Sequence, residues 1–167
     1  MISVRNARPA LAEVLVILWL MSRLLALDYG TKRVGLAVTD ASQLIASPLT
    51  TVPTHELLAW LRHSVATEPV GALIVGMPRH LDGNATDTTP HVVGLVRTLR
   101  KAFPGLPVHE IDERFTTVMA HQTMRAGGLG RQARQDKELV DRISAALILQ
   151  SFLEQRANGL HPGINVA

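Results

Sequence analysis

The fold is decided by residues 24–38, which read LLALDYGTKRVGLAV. Four apolar residues lead into Asp28, and after a polar turn Val34, Leu36 and Val38 alternate with small residues. This pattern predicts a β-hairpin with a carboxylate at its mouth. A carboxylate at the end of so apolar a strand loses hydration, so Asp28 is either a cap for its own turn or a ligand for a cation.

The composition indicates one aliphatic domain. A chain of 167 residues is long enough for one core and too short for two full domains. A hydrophobic fraction of 47% excludes a disordered chain, and an aromatic fraction of 4% makes the core aliphatic. The net charge of +3 is compatible with a phosphate-rich partner. The chain has 0 cysteines, which excludes disulfides and thiolate chemistry and favours a reducing cytoplasm.

The N-terminal segment is interpreted as an extension. Its apolar run, residues 14–21, is bracketed by Glu13 and Arg23. That run is shorter than the roughly 20 residues of a membrane span, and no small-residue cleavage site follows it. We therefore predict an extension over residues 1–20, with Met21 as an alternative translation start, a domain over residues 21–157 and a tail over residues 158–167. No association with membranes is expected.

The rest of the chain predicts alternating helices and strands. A third strand is expected over residues 49–52, an apolar run without alternation predicts a buried strand over residues 71–76, and a fifth strand is expected over residues 108–112. Helices are predicted over residues 54–67, 90–103, 116–125 and 138–155, the first capped by Thr54. This order predicts an α/β fold with a mixed five-stranded sheet, in which an antiparallel three-strand meander joins parallel strands between helices on both faces.

Acidic residues are predicted to meet at one edge of this sheet. Asp28 ends the first strand, Asp112 and Glu113 end the fifth, and the carboxyl ends of parallel strands share an edge. Asp141 lies on the same helical face as the apolar residues 145, 148 and 152, which is typical of a face that packs on the sheet. Asp141 has a structural alternative, stabilisation by the dipole of its own helix.

Such a set of carboxylates, with no matching cationic cluster in the sequence, predicts a cation. Mg²⁺ or Mn²⁺ suits oxygen ligands, and two ions about 4 Å apart would support hydrolysis of a nucleic-acid backbone. Adjacent strand residues point to opposite faces, so Asp112 and Glu113 cannot both enter the site. The apolar pattern leaves the choice open. We favour Glu113 as the metal ligand with Asp28 and Asp141, because its side chain is longer, and expect Asp112 to orient Arg114 or the turn.

Basic residues surround a glycine-rich segment, residues 127–137, which is predicted to be a mobile loop. We expect it to bind the phosphates beside the cleaved bond, although a solvated surface loop would have the same composition. The residues concerned are Arg125, Arg131, Arg134, Lys137 and Arg142. The 7 histidines show no metal-ligand spacing and are interpreted as surface or structural residues.

Four ordered motifs resemble the YqgF family, also called RuvX, of the RNase H-like superfamily. They lie in residues 27–35, 74–83, 112–117 and 140–150. The resemblance implies an RNase H-like fold and a metal-dependent nuclease that processes the 5′ end of pre-16S ribosomal RNA or resolves Holliday junctions. It also implies that Asp28, Asp112–Glu113 and Asp141 occupy the acidic metal-site positions and that Lys32, Arg33 and Arg114 are their basic neighbours.

The sequence departs from related patterns in three places. Junction resolvases carry a carboxylate after the fourth strand, where this chain has Gly76-Met77-Pro78, and the Asp112–Glu113 pair is expected to substitute for it. Met119 stands where the family commonly has the glutamate of a helix capping box. Residues 1–20 match nothing in the family.

Two other functions are compatible with parts of the sequence. Residues 28–32 (DYGTK) also resemble the first phosphate loop of actin-like and sugar-kinase ATPases, which need a second domain for which the chain is too short. A catalytically silent nucleic-acid-binding protein would keep the fold and the basic surface.

Either a monomer or a homodimer is expected. Resolving a junction takes two active sites related by two-fold symmetry, whereas trimming one RNA end takes a single site.

Overall fold

The protein is described by a computed structural model covering residues 22–80, 82–113, 116–128, 130–132 and 135–159. Its strands form one five-stranded sheet in the order β3-β2-β1-β4-β5. Their bounds are Arg23–Tyr29 (β1), Arg33–Thr39 (β2), Ala46–Pro53 (β3), Val70–Met77 (β4) and Val108–Asp112 (β5). The strands β1, β2 and β3 pair antiparallel, whereas β4 pairs parallel with both β1 and β5. The predicted meander joined to parallel strands is therefore confirmed.

The described part of the chain contains four α-helices, and three of them cover the two faces of the sheet. The four helices are Leu57–Thr67 (α1), Thr89–Ala102 (α2), Thr116–Ala126 (α3) and Lys137–Ala157 (α4). One face packs against α1 and α2 through residues such as Leu27, Leu36 and Leu61. The other face packs against α4 through Ile74 and Phe152, among others. The predicted placement of helices on both faces is confirmed.

Residue size along β2 decides how closely α4 approaches the sheet. Val34 and Leu36 point to the α1–α2 face and are fully buried there, whereas Gly35 and Ala37 point to α4. A Cβ built at Gly35 would stand 3.0 Å from the backbone nitrogen of Arg142 and closer still to the carbonyl of Asp141. The backbone of α4 thus rests directly on β2, and this contact fixes the height of Asp141 above the sheet.

We expect Gly35→Ala to destabilise the protein by about 2–3 kcal/mol, because the added methyl group must push a helix backbone aside. Gly94 provides a matched control, since it lies inside α2 and a Cβ there would meet nothing within 4 Å. Gly94→Ala should stabilise the protein by about 0.5–1 kcal/mol. Urea unfolding of the three proteins measures both changes. Equal stability of Gly35→Ala and the unmodified protein would show that α4 does not lie against β2.

The predicted capping role of Thr54 is wrong. Thr54 begins a short 3₁₀ helix, Thr54–Glu56, ahead of α1, and Pro53 occupies the cap position without a side-chain hydrogen bond. The Thr54 hydroxyl instead donates to the carbonyl oxygen of Gly30 over 2.7 Å. Thr54 therefore ties the end of β3 to the turn that follows Asp28.

Two sequence predictions concern residues at the ends of the chain. The proposed extension (residues 1–20) and most of the tail (residues 160–167) lie outside the described residues. No helix in the described part of the chain is long and apolar enough to cross a membrane.

Candidate active site

Asp28 lies at the end of the central strand β1, on the face covered by α4. Alternation along β1 sets this orientation, because Leu24 and Ala26 pack against the same helix. Asp28 pairs in register with Gly35, the residue on which α4 rests. Burial and then the negative charge of Asp141 raise the pKa of Asp28 to about 7. The structure thus holds a carboxyl group where its ionised form is disfavoured.

Glu113 lies beside Asp28, one residue beyond the end of β5. Ile111, two residues earlier, packs in the core on the α4 face, and the Glu113 N–H donates to Met77 O over 3.2 Å. A Cβ built at Gly76 would stand 3.0 Å from Glu113 Cδ and closer still to Oε2. The missing side chain at Gly76 therefore leaves the space in which the Glu113 carboxyl lies.

The Glu113 carboxyl is largely removed from water and lies near other acidic groups. Burial, followed by the charges of Asp28 and Asp112, raises the pKa of Glu113 to about 8. Asp112 itself is exposed, and it pairs in register with Met77, which packs on the opposite face of the sheet. The structure therefore places Glu113, and not Asp112, on the side of Asp28 and α4.

Asp141 projects from the second turn of α4 and forms an ion pair with Arg33. The Arg33 Nε–H donates to Asp141 Oδ2, and both side chains are partly exposed, Arg33 to 33% and Asp141 to 27%. The charge pattern alone does not indicate a cationic partner for Asp141, whereas the family resemblance implies Arg33 as a basic neighbour of the acids. Its partners are 108 residues apart in the chain and come together because β2 and α4 touch at Gly35.

Ser144 is a buried polar residue next to this set, only 2% exposed. Its hydroxyl lowers the pKa of Asp28, opposing the two effects that raise it. The hydroxyl oxygen nevertheless meets no partner at full hydrogen-bond geometry among the described residues. We interpret this as a weak interaction that favours the ionised form of Asp28.

The chemistry of these side chains fits a hard divalent cation. Asp28, Glu113 and Asp141 present only oxygen donors, and burial, followed by the charge of neighbouring acids, raises the pKa values of Asp28 and Glu113. Among the described residues, however, no three acidic or histidine side chains stand close enough to form a ready metal site. Asp141 instead faces Arg33. Asp28 and Glu113 are therefore the two acids that fit a cation, and the third acid, Asp141, is paired with Arg33.

An open cleft of about 530 Å³ lies next to Asp141. Three nitrogen-bearing side chains that can carry positive charge line it, together with an amide and an apolar residue. The lining consists of Arg33, His121, Gln135, Lys137, Val140 and Asp141. We call this the basic cleft, after its side chains Arg33, His121 and Lys137. A cleft with such side chains, next to a set of carboxyls, can receive a phosphate backbone.

The other predicted basic residues lie in various places. Lys32, Arg125 and Arg131 are exposed and do not line the cleft. Arg142 is half-buried, and its Nε lacks a hydrogen-bond partner among the described residues. Arg114 and Arg134 lie outside the described residues, as do parts of the predicted mobile loop.

Sequence reasoning missed several residues of this region. His121 and Gln135 line the cleft, but no spacing in the sequence relates either of them to Asp141. Gly76 could have been recognised, since a glycine at the carboxyl end of a buried strand leaves room for a neighbour's side chain. Ser144 also carries a signal, because a serine one turn from Asp141 on an apolar helix face is an unusual core residue.

Solved structures of two Holliday junction resolvases share the fold of this chain. Thermus thermophilus RuvC in complex with a Holliday junction substrate is 18% identical, with a TM-score of 0.51 over 83% of this chain and 97% of RuvC. The fowlpox virus Holliday junction resolvase is 11% identical, with a TM-score of 0.50 over 80% of this chain and 99% of the viral protein. At these identities the likeness establishes the fold alone.

Closer relatives identify the family. A protein of Bacteroides thetaiotaomicron named "Putative pre-16S rRNA nuclease" is 52% identical over 136 residues, 81% of this chain and 99% of that protein. A protein of the same name from Porphyromonas gingivalis is 46% identical over 134 residues, 80% of this chain and 97% of that protein. The profile of the RuvX family, described as Holliday junction resolvase, matches residues 22–155. The chain belongs to the RuvX family.

Proposed function

We propose that this protein is a nuclease that hydrolyses phosphodiester bonds of a nucleic acid with the help of Mg²⁺ or Mn²⁺. The observation that carries the proposal is the pair Asp28 and Glu113, whose carboxyls share one edge of the sheet with raised pKa values of about 7 and about 8. A protein that did not use this pair would gain stability by replacing either acid. The adjacent basic cleft supplies a place for the phosphates.

Asp28, Glu113 and Asp141 would hold the cations. When bound, divalent ions supply activation of water and stabilisation of the leaving oxygen. The protein's own groups position the reaction: Gly76 leaves the space for the Glu113 carboxyl, and the backbone contact at Gly35 sets the position of Asp141. The ammonium group of Lys137 binds a phosphate of the strand in the cleft, which orients the scissile bond toward the acids.

Precursor 16S ribosomal RNA is the substrate that we favour, because the curated relatives that share 46% to 52% of their residues with this chain carry that name. Such a substrate also places the protein in the bacterial cytoplasm. The family description and the fold support a four-way DNA junction as the second candidate. Parallel assays with a precursor 5′ segment and a synthetic junction decide between the two. Mass measurement of the protein bound to each shows whether a monomer or a dimer acts.

Two other hypotheses make different predictions in these assays. A silent nucleic-acid-binding protein would bind both substrates and cleave neither with Mg²⁺ or Mn²⁺. An ATPase of the actin or sugar-kinase class would need a second domain, and the described residues form a single five-stranded sheet within the region that the family profile matches. ATP binding without any cleavage would nevertheless favour that class.

We expect an excess of chelator to abolish cleavage, and Mn²⁺ to raise the melting temperature at pH 8, because a cation relieves the repulsion between Asp28 and Glu113. A thermal melt with and without Mn²⁺ measures the second effect independently of activity. The proposal fails if cleavage persists undiminished in chelator.

A further inference from the structure

Arg33 stands between the acids and the basic cleft. It begins β2, its Nε–H donates to Asp141, and its side chain also lines the cleft together with Lys137 and His121. The guanidinium group has five N–H donors in a planar fork. One group therefore lies within reach of two kinds of anion, a carboxylate of the protein and a phosphate of a strand in the cleft.

The ion pair affects a cation that approaches Asp141. The charge of a carboxylate bonded to a guanidinium is largely neutralised by that partner, and a positive guanidinium at the same position repels a second cation. The pair is accessible enough to open, since about a third of Arg33 (33%) and a quarter of Asp141 (27%) are exposed. Water reaches both partners, so a new anion beside Arg33 can compensate for their separation.

We propose that Arg33 is an exchangeable counter-ion: it neutralises Asp141 when no substrate is present and moves to a phosphate in the cleft when nucleic acid binds, which frees Asp141 for a divalent cation. This inference rests on the proposed function. The carboxyls of Asp28 and Glu113 have no part in the exchange. Arg33 is thus assigned a positioning role, because it acts by controlling which partner Asp141 has.

The exchange couples the binding of metal and nucleic acid. A phosphate that takes Arg33 raises the affinity for the cation, and by thermodynamic linkage a cation that takes Asp141 raises the affinity for the phosphate to the same degree. The protein without nucleic acid therefore binds metal weakly at Asp141. This arrangement confines the assembled site to the complex with substrate.

Calorimetric titration of Mn²⁺ into the full chain at pH 8 tests the exchange. Arg33→Gln should bind Mn²⁺ about fivefold more tightly than the unmodified protein, because Asp141 has lost its competing partner. Lys137→Gln is the matched control, since it removes the same charge from the same cleft. Its Mn²⁺ affinity should change less than about twofold. Circular dichroism of both variants checks that they stay folded.

A second titration measures the coupling itself. With an RNA that the protein binds but does not cleave during the titration, the unmodified protein should bind Mn²⁺ more tightly than alone, and this gain should shrink about fivefold in Arg33→Gln. Lys137→Gln should weaken RNA binding while it keeps the gain.

Three results would overturn the inference. Unchanged or weaker Mn²⁺ binding by Arg33→Gln shows that Arg33 does not compete for Asp141, and this leaves the proposed function intact. An equal increase in Lys137→Gln assigns the effect to the general field of the cleft. A complete lack of Mn²⁺ binding by the unmodified protein, with or without RNA, rejects both the exchange and the proposed metal dependence.

Discussion

Asp28→Asn should lower the rate of cleavage by about 1,000-fold or more while the protein stays folded. The substitution keeps the shape of the side chain at the end of β1 but removes the charge that would hold a cation. Metal assistance lowers the activation free energy of hydrolysis by several kcal/mol, so its loss has a large effect on the rate. Single-turnover cleavage of the preferred nucleic acid measures the loss. Retention of most of the activity would remove Asp28 from the mechanism.

The same variant should be more stable than the unmodified protein at pH 8. The pKa of Asp28 rises from 3.8 to about 7 on folding, so the folded state binds more protons than the unfolded state between these values. Protonated Asp28 therefore makes its full contribution to the free energy of unfolding below pH 3.8. This contribution is lost as the pH rises from 3.8 to about 7. The amide that replaces this carboxyl does not titrate, so the stability of the variant should fall less over this range. We expect a melting temperature about 3 °C or more above that of the unmodified protein at pH 8.

Glu113→Gln should lower cleavage by about 100-fold or more, whereas Asp112→Asn should cost less than about fivefold. Glu113 lies over Gly76 on the side of Asp28, and Asp112 is exposed and belongs to the opposite side of the sheet. Each substitution replaces a carboxylate by an amide of the same shape, so the two variants differ chiefly in position. The two variants are compared by their cleavage rates at saturating Mg²⁺ and at saturating Mn²⁺.

The order of damage decides between the two acids. If Asp112→Asn were the more damaging change in folded protein, the ligand would be Asp112 and the end of β5 would be shifted by one residue. The Mn²⁺-dependent rise in melting temperature provides a second comparison, because it should disappear in Glu113→Gln and persist in Asp112→Asn.

Local patterns in the sequence were sufficient to predict the order of strands and helices. Alternation in residues 34–38, the unalternating run at residues 71–76 and the positions of proline gave element bounds close to those observed. The exceptions depend on distant contacts. Residues 46–48 extend β3 because β2 pairs with them, and Thr54 donates to Gly30, a partner 24 residues away that no local pattern indicates.

The acidic set was predictable because strand ends and helix faces have fixed geometry. Asp28 and Glu113 follow from the parallel arrangement of β1, β4 and β5. The sequence could not reveal that Asp141 is paired with Arg33, since that contact depends on how closely a helix backbone can approach Gly35. It also could not choose between Asp112 and Glu113, because the choice depends on which face Ile111 packs against.

The edge strand β3 affects how copies of this protein meet one another. It carries Pro48 within the strand and Pro53 at its end, and proline has no N–H to offer a neighbouring strand. An edge interrupted in this way is a poor template for a further strand, which is how many sheet proteins avoid uncontrolled polymerisation. Self-association that extends the sheet through β3 is therefore disfavoured.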